Sequence, residues 1–143
     1  MFIGKQENSI DAKNRVIIPA KYREELGPKC ILARGLDECL VLYPLKTWKD
    51  QQTRLAELPR SDERARAFRR YIYANAVDCE IDKQGRVVIP AELRAIAHID
   101  REIVIIGTMD SIEMWDKNIY ENSENGGKLS PEDFAAFSES YQV

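Results

Sequence analysis

Two Asp-x-x-x-Arg motifs, at residues 11–15 and 82–86, are the part of this sequence best suited to chemistry. Asn14 and Gly85 hold the same place in the two motifs, and both residue types tolerate a positive φ. Each motif therefore predicts a tight turn whose aspartate bonds the turn's own amides and whose arginine leads into a strand. An arginine there can contact a phosphate or a guanine through two hydrogen bonds, and asparagine or glutamine can pair with adenine.

The two loops project side chains that suit contact with nucleic acid. We predict as DNA-contacting residues Lys13, Asn14, Arg15, Lys83, Gln84 and Arg86, and as loop-structuring residues Asp11, Asp82 and Gly85. A structural interpretation is also open, because an aspartate and an arginine around one turn often form no more than an exposed ion pair. The presence of two such loops favours DNA contact, since a symmetric pair can face the same way.

The motifs belong to an internal duplication. With a shift of 71 residues, residues 10–23 align with 81–94 at eight identities in fourteen positions. With a shift of 72, residues 29–35 align with 101–107 and residues 40–43 with 112–115. Average composition gives about one identity in fourteen by chance, so the chain contains two copies of one unit.

Each copy has the pattern of a strand, a short helix and a hairpin. The β-branched runs at 15–18 and 86–89 favour strands, and each is followed by a proline suited to a helix start. The fold class predicted is α+β, with the two copies packed on each other as a pseudo-dimer within the chain. The predicted units are a first module at 1–45, a helical connector at 46–75, a second module at 76–120 and an acidic flexible tail with a short helix at 121–143.

The connector and the tail are predicted to be helical in part. One helix should open at residue 46 or 47 and run to Leu58, and a second should run from residues 61–63 to about Ala74. Five connector arginines between Arg60 and Arg70 favour a solvated or subunit-pairing face, with a second DNA-facing surface as the alternative. In the tail, Ser130 should cap a short turn that carries two phenylalanines.

Composition excludes several classes of function. The net charge is −3, but residues up to Trp115 hold 19 basic and 18 acidic side chains, so the acidity lies mostly in the tail and does not exclude DNA binding. The three cysteines form no CxxC pair and His98 is the only histidine, which argues against a metal site, a nucleophile–base pair and an enzyme. No cofactor, small-molecule substrate or membrane contact is expected, and the chain is expected to be cytoplasmic.

Residues 2–26 and 76–94 resemble the two motif blocks of the MraZ family, bacterial transcriptional regulators with two AbrB-like modules in one chain. The resemblance runs from Met1 to about Trp115. It implies swapped-hairpin β-barrel modules, assembly of copies into a homo-oligomeric ring, and a nucleoid-associated regulator. Such a regulator binds direct repeats of double-stranded DNA in the promoter of its own division and cell-wall operon.

By the same resemblance, the two motif arginines contact DNA and the two motif aspartates hold the loops. Asn14 departs from the glycine usual in the first block, which leaves the preferred bases open. The alternative function is an AbrB-like interaction module such as an antitoxin, although two copies and a short tail favour it less. Trp48 and Trp115 are expected in the core or at an interface rather than stacked on bases.

Overall fold

The computed structural model describes residues 1–122 and 129–143 and contains eight strands and six helices within them. The strands are β1 Lys5–Ser9, β2 Arg15–Ile17, β3 Lys29–Arg34, β4 Leu40–Pro44, β5 Ala76–Glu80, β6 Arg86–Val88, β7 Glu102–Gly107 and β8 Ile112–Asp116. The helices are α1 Ala20–Leu26, α2 Leu45–Ala56, α3 Glu63–Ala74, α4 Ala91–Ile96, α5 Lys117–Asn122 and α6 Pro131–Tyr141. Residues 123–128 of the predicted flexible tail lie outside the described residues.

Local sequence signals explain most of these boundaries. Pro19 and Pro90 are the N-cap residues of α1 and α4, with φ of −50° and −57°, where a missing N–H costs nothing. Asp62 caps α3 by accepting from Arg64 N at 2.9 Å, and Ser130 caps α6 by accepting from Asp133 N at 3.1 Å. Helices α2 and α3 lie where connector helices were predicted, and α6, with 11 residues, lies where the tail was predicted to carry a short helix.

The six-stranded antiparallel sheet mixes the two copies. Its order is β1-β7-β8-β4-β3-β5, so β1 of the first copy pairs with the second hairpin, and β5 of the second copy pairs with the first hairpin. The hairpins β3–β4 and β7–β8 meet through β4 and β8 at the sheet centre. The two copies therefore exchange their first strands, and the backbone hydrogen bonds of each hairpin are completed by the other copy.

The described residues form a six-stranded open sheet and a separate two-stranded ribbon. Strands β2 and β6 are three residues long and pair only with each other, as a separate two-stranded ribbon. Because they do not join the larger sheet, β1 and β5 remain its two edges. No closed barrel is found within the described residues, whose fold is α+β with mostly antiparallel sheets.

The main core lies between the sheet and the layer formed by the ribbon, α1 and α4. It is built from side chains that alternate along the strands, such as Cys30 and Leu32 on β3, and from Val16 and Val87 under the ribbon. On the other face, Ile31 and Ala33 pack under α2 and α3 with Trp48. Trp115 packs under α5 with Cys39 and Val41.

Both tryptophans are buried, 8 % exposed at Trp48 and 2 % at Trp115, as the sequence predicted. Within the described ranges, no helix combines the length and the apolar character needed to cross a membrane.

Candidate nucleic-acid interface

The site is built on the β2–β6 ribbon. Its central pair, Val16 and Val87, points into the core with both side chains fully buried. The next residues, Ile17 and Val88, are 52 % and 54 % exposed, since successive strand side chains point to opposite faces. The buried valines fix the ribbon on the body of the protein, so its outer face is a rigid platform.

The first loop is held by Asp11. Its Oδ1 accepts hydrogen bonds from Lys13 N at 2.8 Å and Arg15 N at 2.9 Å, and its Oδ2 accepts from Arg15 Nε at 2.7 Å. The backbone closes the same turn, because Asn14 N donates to Asp11 O at 3.0 Å. Asn14 adopts a φ of 59°, in the left-handed region that asparagine tolerates.

The second loop repeats this geometry. Asp82 Oδ1 accepts from Gln84 N and Arg86 N, both at 2.9 Å, and Oδ2 accepts from Arg86 Nε at 2.8 Å. Gly85 has a φ of 79° at the place of Asn14. The predicted turns, with aspartates that bond their own amides, are therefore present in both copies.

The hydrogen bonds from these amides stabilise the ionised carboxylates. The pKa of Asp11 is lowered, first by the backbone N–H of Arg15 and then by the Arg15 side chain and the Lys13 N–H. The pKa of Asp82 is lowered in the same way by Arg86 and Gln84. The two carboxylates are therefore ionised at neutral pH, and each orients the neighbouring guanidinium.

Each loop is also supported by the other copy. Ile89 N donates to Asn14 O and Ile18 N donates to Gly85 O, both at 2.8 Å. Arg94, on the helix of the second copy, donates from Nη1 to Asn14 Oδ1 at 2.5 Å.

The equivalent helix arginine of the first copy, Arg23, lies over Gly85. A Cβ at Gly85 would lie 2.1 Å from the Arg23 Cζ, so this close approach depends on glycine. The two loops thus form one cross-braced unit.

The structure brings the predicted residues together in two groups, one at each end of the ribbon. Because the strands are antiparallel, Arg15 lies opposite Val88 and Arg86 lies opposite Ile17. The two arginines are offset by about 7 Å along the strands, given a rise of about 3.4 Å per residue. Lys13, Lys83 and Gln84 are exposed in the loops, and Asn14 is half-buried against Arg94.

Each motif arginine is held by its own aspartate while part of its guanidinium stays exposed. Arg15 and Arg86 are 27 % and 25 % exposed, and Nε of each is bonded to its own aspartate. Within the described residues, their Nη groups have no hydrogen-bond acceptor. The ion pair anticipated as the structural alternative is present, and it fixes a guanidinium whose remaining donors stay available.

Sequence reasoning missed four residues of this platform. Ile17 and Val88 form an exposed apolar centre between the two arginines, and the period-2 alternation of a strand was the signal for it. Arg94 bonds the first loop and Arg23 lies against the second, each from the other copy, and their only sequence signal was their matching place in the repeat. Such an outer face can present cations to phosphates or guanines and apolar groups to thymine methyls.

The connector arginines serve the fold at two positions. Arg69, half-buried, donates from Nη1 to Leu58 O at 3.0 Å and to Leu55 O at 3.3 Å, and so satisfies carbonyls at the end of α2. Arg66 donates to Arg60 O at 2.9 Å. Phe68, between them, is 41 % exposed.

The cysteines and the histidine lie away from the ribbon. Cys30, Cys39 and Cys79 are free and buried, as expected for small core residues, and burial raises the pKa of the Cys39 thiol to about 12. His98 is exposed beside Glu38. Across residues 1–122 and 129–143, no group of three or more His, Cys, Asp or Glu side chains could hold a metal ion.

Comparison with known proteins agrees with the duplicated architecture. A family model described as "MraZ protein, putative antitoxin-like" matches the chain twice, at residues 1–71 and 72–136. The chain belongs to the MraZ family. The family match divides the chain close to the boundary between the two copies.

Three similar curated proteins are each named transcriptional regulator MraZ. One from Thermoanaerobacter sp. (strain X514) is 49 % identical over 135 residues, 94 % of each chain. One from Caldanaerobacter subterraneus subsp. tengcongensis is 43 % identical over 143 residues, the whole of each chain. One from Acetivibrio thermocellus is 44 % identical over 135 residues, 94 % of each. These names describe regulators rather than a class of enzyme.

Proposed function

We propose that this chain is a transcriptional regulator that binds double-stranded DNA with sequence preference through its two Asp-x-x-x-Arg loops. The supporting observation is the pair of matching loops at the two ends of one rigid ribbon, each with an arginine held by a carboxylate. The names of its MraZ relatives support the same class of function. A cytoplasmic, nucleoid-associated location follows from that function.

The platform suits the major groove of DNA. That groove is about 12 Å wide and admits a two-stranded ribbon. We assign DNA contact to Lys13, Asn14, Arg15, Lys83, Gln84 and Arg86. The arginines would face guanines or phosphates, while Ile17 and Val88 lie where a thymine methyl would contact them.

Several copies are needed for tight binding. One chain offers only four cationic side chains in the two loops, and its net charge is −3. A homo-oligomeric ring, which we also propose, would present the loops repeatedly along a duplex, and linked contacts multiply affinity. Direct repeats in the promoter of the chain's own division and cell-wall operon are the matching DNA target.

Two finer structural assignments accompany this proposal. The exchange of β1 and β5 between copies supports a swapped, AbrB-like arrangement without a closed barrel. The division into units at 1–45, 46–75, 76–120 and 121–143 stays a prediction. An antitoxin-like interaction module is the second candidate function, since the family description carries that term.

A fluorescence-anisotropy titration tests the proposal. Wild-type protein is titrated against a duplex from the region upstream of its own gene and against a scrambled duplex, at two salt concentrations. We expect tighter binding to the native duplex, and weaker binding at high salt because counterions are released when phosphates are neutralised. Arg15→Ala/Arg86→Ala should weaken binding at least about tenfold, since each arginine contact to a base is worth about 1–3 kcal/mol.

A matched control variant shows whether weaker DNA binding comes from losing the loop arginines or from losing any two positive charges. Lys5→Ala/Lys29→Ala removes two exposed cations from β1 and β3, outside the ribbon, its loops and the helical connector, and should bind as wild type does. Circular dichroism checks that both double variants are folded. Equal binding of native and scrambled duplexes by a folded oligomer would contradict the proposal and favour the interaction module.

A further inference from the structure

The last helix has an uncovered aromatic face. Phe134, Phe137 and Tyr141 recur at spacings of three and four residues, which places them on one side of α6. They are 65 %, 61 % and 66 % exposed, and the rings of Phe137 and Tyr141 stack with centroids 4.6 Å apart. Leu129 and Val143, also exposed, extend the face. An exposed apolar patch of this kind marks an interaction surface.

The helical connector carries a groove of complementary character. It lies between α2, α3 and the β3–β4 turn, and its apolar lining includes Leu36, Trp48, Leu55, Phe68 and Ile72. Leu36 is 79 % exposed and Phe68 is 41 % exposed, so the groove presents large apolar side chains to solvent. Within the described residues nothing fills it.

The charges around the two surfaces are opposite. Residues 45–75, which form both helices of the groove, hold eight basic and four acidic side chains. Arg34 adds a further cation to the lining. Residues 129–143 hold three acidic side chains, Glu132, Asp133 and Glu139, and no lysine or arginine. Residues 45–75 therefore have a net charge of +4 and residues 129–143 a net charge of −3. Such charge complementarity speeds the encounter of two surfaces and favours their correct orientation.

We propose that α6 of one copy docks its aromatic face into the α2–α3 groove of a second copy. Binding of an amphipathic helix in an apolar groove through anchors at i, i+3 and i+7 is a common recognition mode. Because the helix and the groove are different surfaces, each copy offers one of each, and the contact is head-to-tail. Such contacts close into rings where the rotation allows. This inference rests on the oligomeric part of the proposed function.

Light scattering after gel filtration tests the contact with two charge-introducing variants. Phe137→Glu places an anion in the helix face, and Phe68→Glu places one in the groove. We expect each to weaken self-association at least about tenfold, since buried aromatic anchors dominate interface energies. Ala135→Glu, on the opposite side of α6, and Ala67→Glu, exposed on α3 and outside the groove, should keep the wild-type mass.

Mixing the two variants distinguishes docking between copies from docking within one chain. A Phe68→Glu chain still has an intact α6, and a Phe137→Glu chain still has an intact groove. Their mixture should therefore form a species of twice the chain mass, which neither variant forms alone. A mixture that stays at the mass of one chain would overturn docking between copies.

The oligomer measurements distinguish failure of this inference from failure of the proposed DNA binding. Variants that keep the wild-type oligomer and its preference for the native duplex would overturn this inference alone. A wild-type protein with the mass of a single chain would overturn both the inference and the proposed ring. Circular dichroism of each variant excludes unfolding as the cause of a smaller mass.

Discussion

Each motif arginine donates one hydrogen bond to its own aspartate and leaves the Nη groups of its guanidinium without an acceptor among the described residues. Nε of Arg15 is bonded to Asp11 Oδ2 at 2.7 Å, and Nε of Arg86 to Asp82 Oδ2 at 2.8 Å. This fixes the guanidinium plane before any ligand arrives, so less side-chain entropy is lost on binding. Under the proposed function, the aspartate would affect DNA binding only through the arginine that it holds, so the two residues should be tested together.

The first prediction concerns these aspartates. Asp11→Asn and Asp82→Asn keep an oxygen for the loop amides but remove the charge that orients the arginine. Each should weaken binding to the native duplex about tenfold, the scale of losing a hydrogen bond to a charged group. The melting temperature should change little at neutral pH, because the ion pairs are exposed. Anisotropy and calorimetry measure the two effects.

The pH dependence supplies the control. A carboxyl with a lowered folded pKa contributes stability above its unfolded pKa, near 3.9, and loses it as pH falls through the folded value. Any difference in melting temperature between wild type and an Asn variant should therefore be present at pH 6 and vanish below the lowered pKa. A difference that persists in acid would contradict this role, as would unequal effects at the two loops.

At the scale of elements, the loops and the ribbon depend on contacts between copies. Gly85 has a positive φ and lies directly beneath Arg23 of the other copy. Asn14 fills the same place in the first loop and bonds Arg94. Each helix arginine thus contacts the loop of the other copy, Arg94 through a hydrogen bond and Arg23 by lying against Gly85, while Arg23 Nε donates to Ile18 O of its own copy.

The second prediction uses this difference. Gly85→Ala puts a Cβ in the left-handed region and displaces Arg23, and should lower the free energy of unfolding by about 1–2 kcal/mol. Gly85→Asn should cost less, because asparagine tolerates the conformation and can accept from Arg23 as Asn14 accepts from Arg94. Urea denaturation of the two variants compares them. If Gly85→Asn lowers the free energy of unfolding as much as Gly85→Ala or more, Arg23 does not form a hydrogen bond with an amide at this position.

The sequence predicts elements whose signals are local. The β-branched runs predict β2 and β6, the prolines predict the starts of α1 and α4, and the Asp-x-x-x-Arg spacing predicts both turns. Strand β1, with the polar sequence KQENS, carries no such signal, since it is an edge strand with four of its five residues exposed. Its pairing with β7 joins residues about 100 apart, and periodicity within the chain does not encode that.

The same limit explains which features of the fold and the site the sequence did not reveal. Swapped-hairpin β-barrel modules were expected from a resemblance alone, and in the described residues the three-residue β2 and β6 pair only with each other. The exposure of Ile17 and Val88 was readable from strand alternation. The bracing by Arg23 and Arg94 was not, because it depends on how the two copies face each other.

For the whole molecule, the exchange of strands makes the two copies one folding unit. The hairpin of each copy pairs with the first strand of the other, and Val16 and Val87 pair across the copies within the main core. A copy taken alone would leave a hairpin edge unpaired and half of the core uncovered. Cooperative unfolding in a single transition is the expected consequence.

The third prediction separates the copies at the junction between α3 and β5. Fragments 1–75 and 76–143 expressed separately should each lack the stability of the intact chain, since neither contains its own partner strand. Mixed, they should form a 1:1 complex with the mass of one chain, because each supplies the strand that the other lacks.

The complex should melt below the intact chain, whose covalent link supplies an effective concentration in the millimolar range. Light scattering and circular dichroism follow both properties, with the unmixed fragments as controls. A fragment that folds as a monomer with the melting temperature of the intact chain would contradict the exchange of β1 and β5 between copies. Preference for the native duplex that returns only when the fragments are mixed would show that the β2–β6 ribbon and its two loops depend on this strand exchange.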